Sequence, residues 1–294
     1  MNTEGTIPER FRELVKGSPG GNAGTSPKNG REMMEKIAVE HLDFTYKDSG
    51  QRVLKDFSLR VEEGEFLCVI GRSGCGKSTL LRLLAGLERP QRGRILLDGR
   101  ELGGPDTDRA VVFQQDPLFP WMTVRKNVVF AAAKSGRFTK QEAAERAEYF
   151  LEKTGMSAEG KKYPCQLSGG MRQRTALARA LAMDSEVLLL DEPFGALDNR
   201  IRAELQQLIR DLWADSCRGA GDGIAGSAGK RKTAVFVTHD LEEALILATR
   251  IVFIRDGAVD RELSVSERIN RCCAQSLNLA DCLELKASLA EWFQ

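Results

Sequence analysis

The sequence contains no run of apolar residues approaching the roughly 18 that a membrane-spanning helix needs. Any contact with a membrane is therefore expected through docking on another protein. The start, MNTEGTIPERFRELVKG, lacks the apolar core of a secretory signal, which points to a chain kept in the cytosol. There is almost no net charge: 43 Lys and Arg face 42 Asp and Glu, giving +1, so no global field favours nucleic acid or an anionic bilayer. The seven cysteines include no Cys-x-x-Cys pair, and the neighbours Cys272 and Cys273 do not make a disulfide framework, which predicts reduced thiols. Histidine is scarce, at His41 and His239 alone, and no internal repeat is present.

What is present suits one large domain with an inserted lobe. Residues 1–35 read as a flexible extension because GSPGGNAGTSPKNG is rich in glycine, serine and proline, although Ile7, Phe11, Leu14 and Val15 fall at helical spacing. Strand patterns follow in IAVEHLDFTY and DFSLRV, then a turn at EEGE and the apolar run FLCVI, which leads straight into a glycine-rich loop. RILLDG and AVVFQQ read as further strands, and residues from about Val124 to Thr154 as helical, ending at Gly155. EVLLLDEP and TAVFVTHD are apolar runs ending in polar residues, as parallel strands are when chemistry sits at their carboxyl ends. Ile201, Leu205, Leu208, Ile209 and Leu212 mark an amphipathic helix between them, and IVFIRDGAVDRELSV reads as a hairpin turning at Asp256-Gly257. The main domain is placed at 36–266, with a helical lobe at about 118–180, a flexible insertion at about 214–232 and a short helical tail at 267–294.

Gly71-Arg72-Ser73-Gly74-Cys75-Gly76-Lys77-Ser78 fits the phosphate-binding loop pattern. Its glycines let backbone amides close around phosphates at a helix N-terminus. Lys77 would reach the β- and γ-phosphates, and the Ser78 hydroxyl is a hard oxygen donor suited to Mg²⁺. Asp191 ends the strand VLLLD, where it can hold magnesium through water, and Glu192 follows directly as a carboxylate able to polarise an attacking water. Cys75, inside the loop and next but one to Lys77, is a candidate for alkylation that blocks nucleotide binding.

With LSGGMRQR between the loop and LLLDEP, the chain from about Ile37 to Val265 resembles the ATPase subunits of ATP-binding cassette (ABC) transporters. The resemblance implies an α/β P-loop NTPase fold: an antiparallel β subdomain, a RecA-like parallel-sheet core and an inserted α-helical subdomain. It implies ATP and Mg²⁺ as cofactors, with phosphate contacts from Gly71, Ser73, Gly74, Cys75, Gly76, Lys77, Ser78 and Thr79, and metal contacts from Ser78, Gln114 and Asp191. Glu192, His239, Lys77 and Gln114 carry catalysis in this reading. Tyr46 sits where the family stacks a ring on adenine, an ordinary strand aromatic being the other reading of that residue. His41 reads as a surface or strand residue.

In the family, the signature residues Ser168, Gly169 and Gly170, with Asp198 nearby in GALD, cap the nucleotide of a second copy. The resemblance thus implies a head-to-tail dimer with two shared ATP sites. It further implies separate integral-membrane permease chains, an extracytoplasmic solute-binding protein and a place on the cytoplasmic side of the inner membrane. Met171 after LSGG, together with DPLFPWMTVRKNV and PDTDRAVVFQ, resembles the nitrate, sulfonate and taurine importer branch. Phe119 and Trp121 are either permease anchors or local packing. The rival reading is a soluble ABC ATPase of translation or DNA repair, which usually carries two cassettes or a long coiled coil, neither visible here. No nucleic-acid partner is expected.

Overall fold

The structure is a computed structural model that describes residues 34–46, 50–114, 118–218, 232–265, 287 and 289–290. Most of the expected N-terminal extension, the core of the expected insertion and nearly all of the expected tail lie outside the described residues. In chain order the strands and helices are β1 (Glu35–Thr45), β2 (Arg52–Glu62), β3 (Phe66–Gly71), α1 (Lys77–Leu84), β4 (Arg92–Leu97), β5 (Arg100–Glu101) and β6 (Arg109–Val112). Three helices follow, α2 (Val124–Lys134), α3 (Lys140–Lys153) and α4 (Gly169–Ala182), then β7 (Val187–Asp191), α5 (Asn199–Arg218), β8 (Thr233–Val237), α6 (Leu241–Leu247), β9 (Arg250–Arg255) and β10 (Ala258–Ser264). The chain divides into two compact units: residues 1–84, 88–103 and 236–294, and residues 85–87 and 104–235.

In the first unit an antiparallel sheet has the order β2-β1-β4-β5. Alternating burial in β2, where Leu54, Phe57, Leu59 and Val61 are buried, gives that sheet one apolar face. His41 takes φ 48 within β1, where the register with β2 shifts, and its exposed ring lies 2.7 Å from Asp56. A second set of strands runs β10-β9-β3-β8. β3 is buried at all six positions and pairs in parallel with β9, which explains why its sequence is a continuous apolar run and not an alternation. The Asp256-Gly257 turn joins β9 to antiparallel β10 as expected. Arg250 fastens this region, donating to Glu65 at 2.6 Å and to Glu262 at 2.8 Å; the two carboxylates hold its guanidinium above the usual arginine range against the opposing effect of burial.

The second unit holds the order β8-β7-β6, with β6 and β7 parallel, and the helices α2, α3 and α4 packed on one another. Their buried faces are built from Val124, Val128, Ala132, Ala143, Ala147, Phe150, Leu151 and Leu177, each fully buried branched or aromatic side chain stabilising by about 1.5–3 kcal/mol. The stretch expected as helical from about Val124 to Thr154 is two helices. Ser135 closes α2, Gly136 takes φ 72, and a capping box of Thr139 and Glu142 opens α3. The strand expected in AVVFQQ ends at Val112. Helix α5 continues to Arg218, so Ala214–Arg218 is helical where a flexible insertion was expected to begin. The unit groups β6 and β7 with the helices.

Candidate functional site

In the first unit, β3 delivers Gly71 into a loop that closes at the N-terminus of α1. A Cβ on Gly71 would fall 2.4 Å from the carbonyl oxygen of Ile254 and 2.7 Å from Cys75 Sγ, so only glycine fits there. Gly74 and Gly76 take φ 82 and 107, the region glycine enters without steric cost. Lys77 is buried and folds back over its own loop, with Nζ donating to the carbonyls of Gly71 at 2.8 Å and Arg72 at 3.1 Å. Cys75 Sγ lies 3.9 Å from the same ammonium. Ser73 and Ser78 are exposed and Thr79 is buried. A cavity of about 500 Å³ is lined by Gly71–Cys75, by Arg52, Val53 and Lys55 of β2, and by Ile254, Arg255 and Asp256. Backbone amides at a helix N-terminus, a lysine and further cations suit a polyphosphate.

Tyr46 belongs to the same unit. Its hydroxyl is 3.2 Å from Thr79 Oγ1 and its ring meets Phe44 edge-on at 4.9 Å, which brings the expected adenine-stacking ring to the first turn of α1. His239 follows β8 after Thr238 and is exposed. Its neighbours fix the bend that presents it: Thr238 Oγ1 donates to buried Glu243 at 2.7 Å and accepts from Asp240 N, while Asp240 caps α6 by accepting from Glu242 N.

The second unit carries the remaining predicted residues. Asp191 ends β7 and is buried, a hard oxygen donor at a strand's carboxyl end. Glu192 takes φ 46, a left-handed backbone unusual for a non-glycine residue and stored at a cost of about 1–2 kcal/mol. Gln114, exposed after β6, donates to Glu192 Oε2 at 3.1 Å, so these two predicted residues are in direct contact. Asp198 is exposed and accepts from Ile201 N at the start of α5. Among the described residues no group of three or more His, Cys, Asp or Glu is arranged to hold a metal.

Ser168 caps α4, its hydroxyl accepting from Met171 N at 3.3 Å, and both Ser168 and Gly169 are exposed. The two glycines differ. A Cβ on Gly170 would lie 3.1 Å from Ala196 O and 3.3 Å from Leu197 Cδ2, so glycine there lets the helix approach the Asp198 loop. A Cβ on Gly169 would meet only the guanidinium end of Arg172 at 3.9 Å, so nothing within 4 Å among the described residues requires glycine at that position.

Sequence reasoning passed over Gln173. It is nearly buried on α4, donates through Nε2 to Glu192 O at 3.0 Å and accepts at Oε1 from Ala196 N at 3.1 Å. The available signal was its place on the buried stripe with Ala176, Leu177 and Ala180, a polar residue on an apolar helix face.

Known proteins share the sequence and the fold. The profile of the ABC transporter family matches residues 54–195. An ABC transporter ATP-binding protein of Methanocaldococcus jannaschii is 45% identical over 224 residues, covering 76% of this chain and 78% of that protein. The nitrate import ATP-binding protein NrtD of Synechocystis sp. is 42% identical over 226 residues, 76% of this chain and 79% of its own. The taurine import ATP-binding protein TauB of Pseudomonas aeruginosa is also 42% identical over 226 residues, with coverages of 76% and 80%. Among solved structures, a dimeric ATP-binding cassette in a post-hydrolysis state bound to ADP and Pi has TM-score 0.67 at 31% identity, covering 78% of this chain and 99% of that one.

Loop, sheets and helices thus define a P-loop ATPase of the ABC fold. The chain belongs to the ABC transporter family as an ATP-binding subunit, and it is an ATPase that powers an importer.

Proposed function

We propose that this subunit drives uptake of a small solute of the nitrate, sulfonate or taurine kind, working as a head-to-tail dimer docked on separate permease chains at the cytoplasmic face of the membrane. NrtD and TauB, the relatives whose names carry nitrate and taurine, support the solute class at 42% identity. No described helix is long and apolar enough to cross a membrane. An extracytoplasmic solute-binding protein would select the solute, and nothing in this chain would touch it. Trp121, 70% exposed and tilted against the Phe119 ring at 5.6 Å, is the aromatic anchor we assign to the permease contact.

The observation that carries the dimer is Gly169: an exposed glycine at a capped helix N-terminus with no close neighbour among the described residues to require it. A second copy's γ-phosphate seated there would supply the requirement, and the N-terminus of α4 with the Ser168 hydroxyl would supply the donors. ATP then holds two chains together, and hydrolysis lets them part.

We assign the roles as follows. Lys77, Gly71, Ser73, Gly74, Cys75, Gly76, Ser78 and Thr79 hold the phosphates, and Tyr46 the adenine. Ser78, Gln114 and Asp191 hold Mg²⁺; a hydroxyl, an amide carbonyl and one carboxylate, with phosphate oxygens and water, are the donor set this ion takes. Glu192 polarises the attacking water, with Gln114 in contact to orient its carboxylate. His239 steadies the charge developing on the γ-phosphate, and Asp198 lines the shared interface.

The test is a mild-detergent pull-down of tagged protein from its native membranes. Recovery of a polytopic permease is the expected result, and the permease with its binding protein then defines the anions or sulfonates to assay. Recovery of ribosomal or DNA-associated chains without any membrane protein would overturn it in favour of a soluble ABC ATPase.

A further inference from the structure

Glu192 stands in a backbone conformation that its sequence does not favour. A β-carbon at φ 46 is crowded, and the following Pro193 biases its predecessor toward extended geometry. Something must hold it, because the direction of the Glu192 side chain follows from that backbone.

Three constraints converge on the segment from Glu192 to Leu197. Phe194 is fully buried and anchors its middle. The backbone folds on itself, with Gly195 N donating to Glu192 O at 3.3 Å and Leu197 N to Phe194 O at 3.1 Å. The third constraint is Gln173. Its carboxamide spans both limbs of the turn, donating to Glu192 O at 3.0 Å and accepting from Ala196 N at 3.1 Å. No other side chain type of this length offers a donor and an acceptor side by side at neutral pH. Gln173 stands four residues beyond Gly169, one turn into the signature helix.

We infer that Gln173 is a positioning residue for ATP hydrolysis: its carboxamide fixes the left-handed backbone at Glu192 and so aims the carboxylate, tying that aim to the signature helix on which Gln173 stands. The inference rests on the assignment of Glu192 as the group that polarises the attacking water. Gln173 itself touches neither nucleotide nor water in this account, so its loss acts on turnover and not on nucleotide affinity.

The test compares Gln173→Met, which keeps length and volume without the hydrogen bonds, with wild type, Glu192→Gln and the double variant, using the full chain. Gln173→Ala is measured beside it, and thermal melts set the assay temperature well below the lowest midpoint. The expected result is a fall in kcat of at least about tenfold for Gln173→Met with KM for Mg-ATP within about twofold of wild type. In the double variant Gln173→Met should add less than about twofold to the loss caused by Glu192→Gln, because both act through one carboxylate. Equal kcat for Gln173→Met and wild type, or a full independent loss on the Glu192→Gln background, would overturn the inference. Failure of the underlying assignment looks different: Glu192→Gln itself would then turn over ATP like wild type.

Discussion

Asp184 offers a quantitative check on how the second unit is held together. Its side chain is 1% exposed and follows α4 in a left-handed conformation of φ 56. Lys232 Nζ lies 2.6 Å from its Oδ1 and Arg146, 3% exposed, lies 3.5 Å from the same oxygen, while Arg137 donates to its backbone carbonyl. One buried carboxylate therefore faces two cations, and a third holds the carbonyl of the same residue. Burial pushes the Lys232 ammonium below its usual range, with Asp184 opposing that shift. Asp184→Asn keeps the shape and tolerates the left-handed backbone, so it removes little besides the charge. Deleting one partner of a buried pair costs about 3–5 kcal/mol. Lys232 retains some access to water, at 21% exposed, which places the cost near the lower end, about 3 kcal/mol. At about 4 °C per kcal/mol for a unit of this size, the melting midpoint should fall by about 12 °C. Circular dichroism melts at pH 7 read this directly. Adding Lys232→Met to Asp184→Asn should recover part of the loss, because it removes one surplus cation. A midpoint within about 2 °C of wild type for Asp184→Asn, or a further fall in the double variant, would refute the reasoning.

Two further outcomes follow from the same geometry. Gly169→Arg should leave the melting midpoint within about 2 °C of wild type, since among the described residues a Cβ there meets only the guanidinium of Arg172, at 3.9 Å. It should abolish ATP hydrolysis without loss of ATP binding, which equilibrium dialysis and a phosphate-release assay separate. Glu142 accepts the Thr139 backbone N–H in the α3 capping box, and that bond holds its carboxyl below the usual value of 4.5. A depressed carboxyl contributes stability that is present above pH 4.5 and is lost as pH falls through the lower folded value. Melts between about pH 5 and pH 3 should therefore show a shallower acid loss for Glu142→Gln than for wild type, and identical slopes would count against the capping geometry.

The strands that deliver chemistry were legible because each is a buried run ending in polar residues. FLCVI before Gly71 and VLLLD at Asp191 are the clearest, and parallel strands buried on both faces give just that pattern. The signature helix carries its own local mark, since Ser168 is a strong N-cap and two glycines follow it. Helix boundaries were less legible. Ser135 and Gly136 break the stretch from Val124 to Thr154 through a left-handed glycine and a capping box, local signals that the longer helical pattern masked. Polar networks formed by distant residues left no motif. Arg137, Arg146, Asp184 and Lys232 are spread over 95 positions, and Gln173 reads in sequence as one more residue of LSGGMRQR until its two bonds to the Glu192 turn are seen.

The central claim is that a single chain is half of each ATP site. Sedimentation of the Glu192→Gln variant with saturating Mg-ATP, and again with Mg-ADP, tests it most directly. The account predicts a dimer carrying two ATP molecules in the first case and a monomer in the second. A variant that binds one ATP per chain yet sediments as a monomer in Mg-ATP would contradict it.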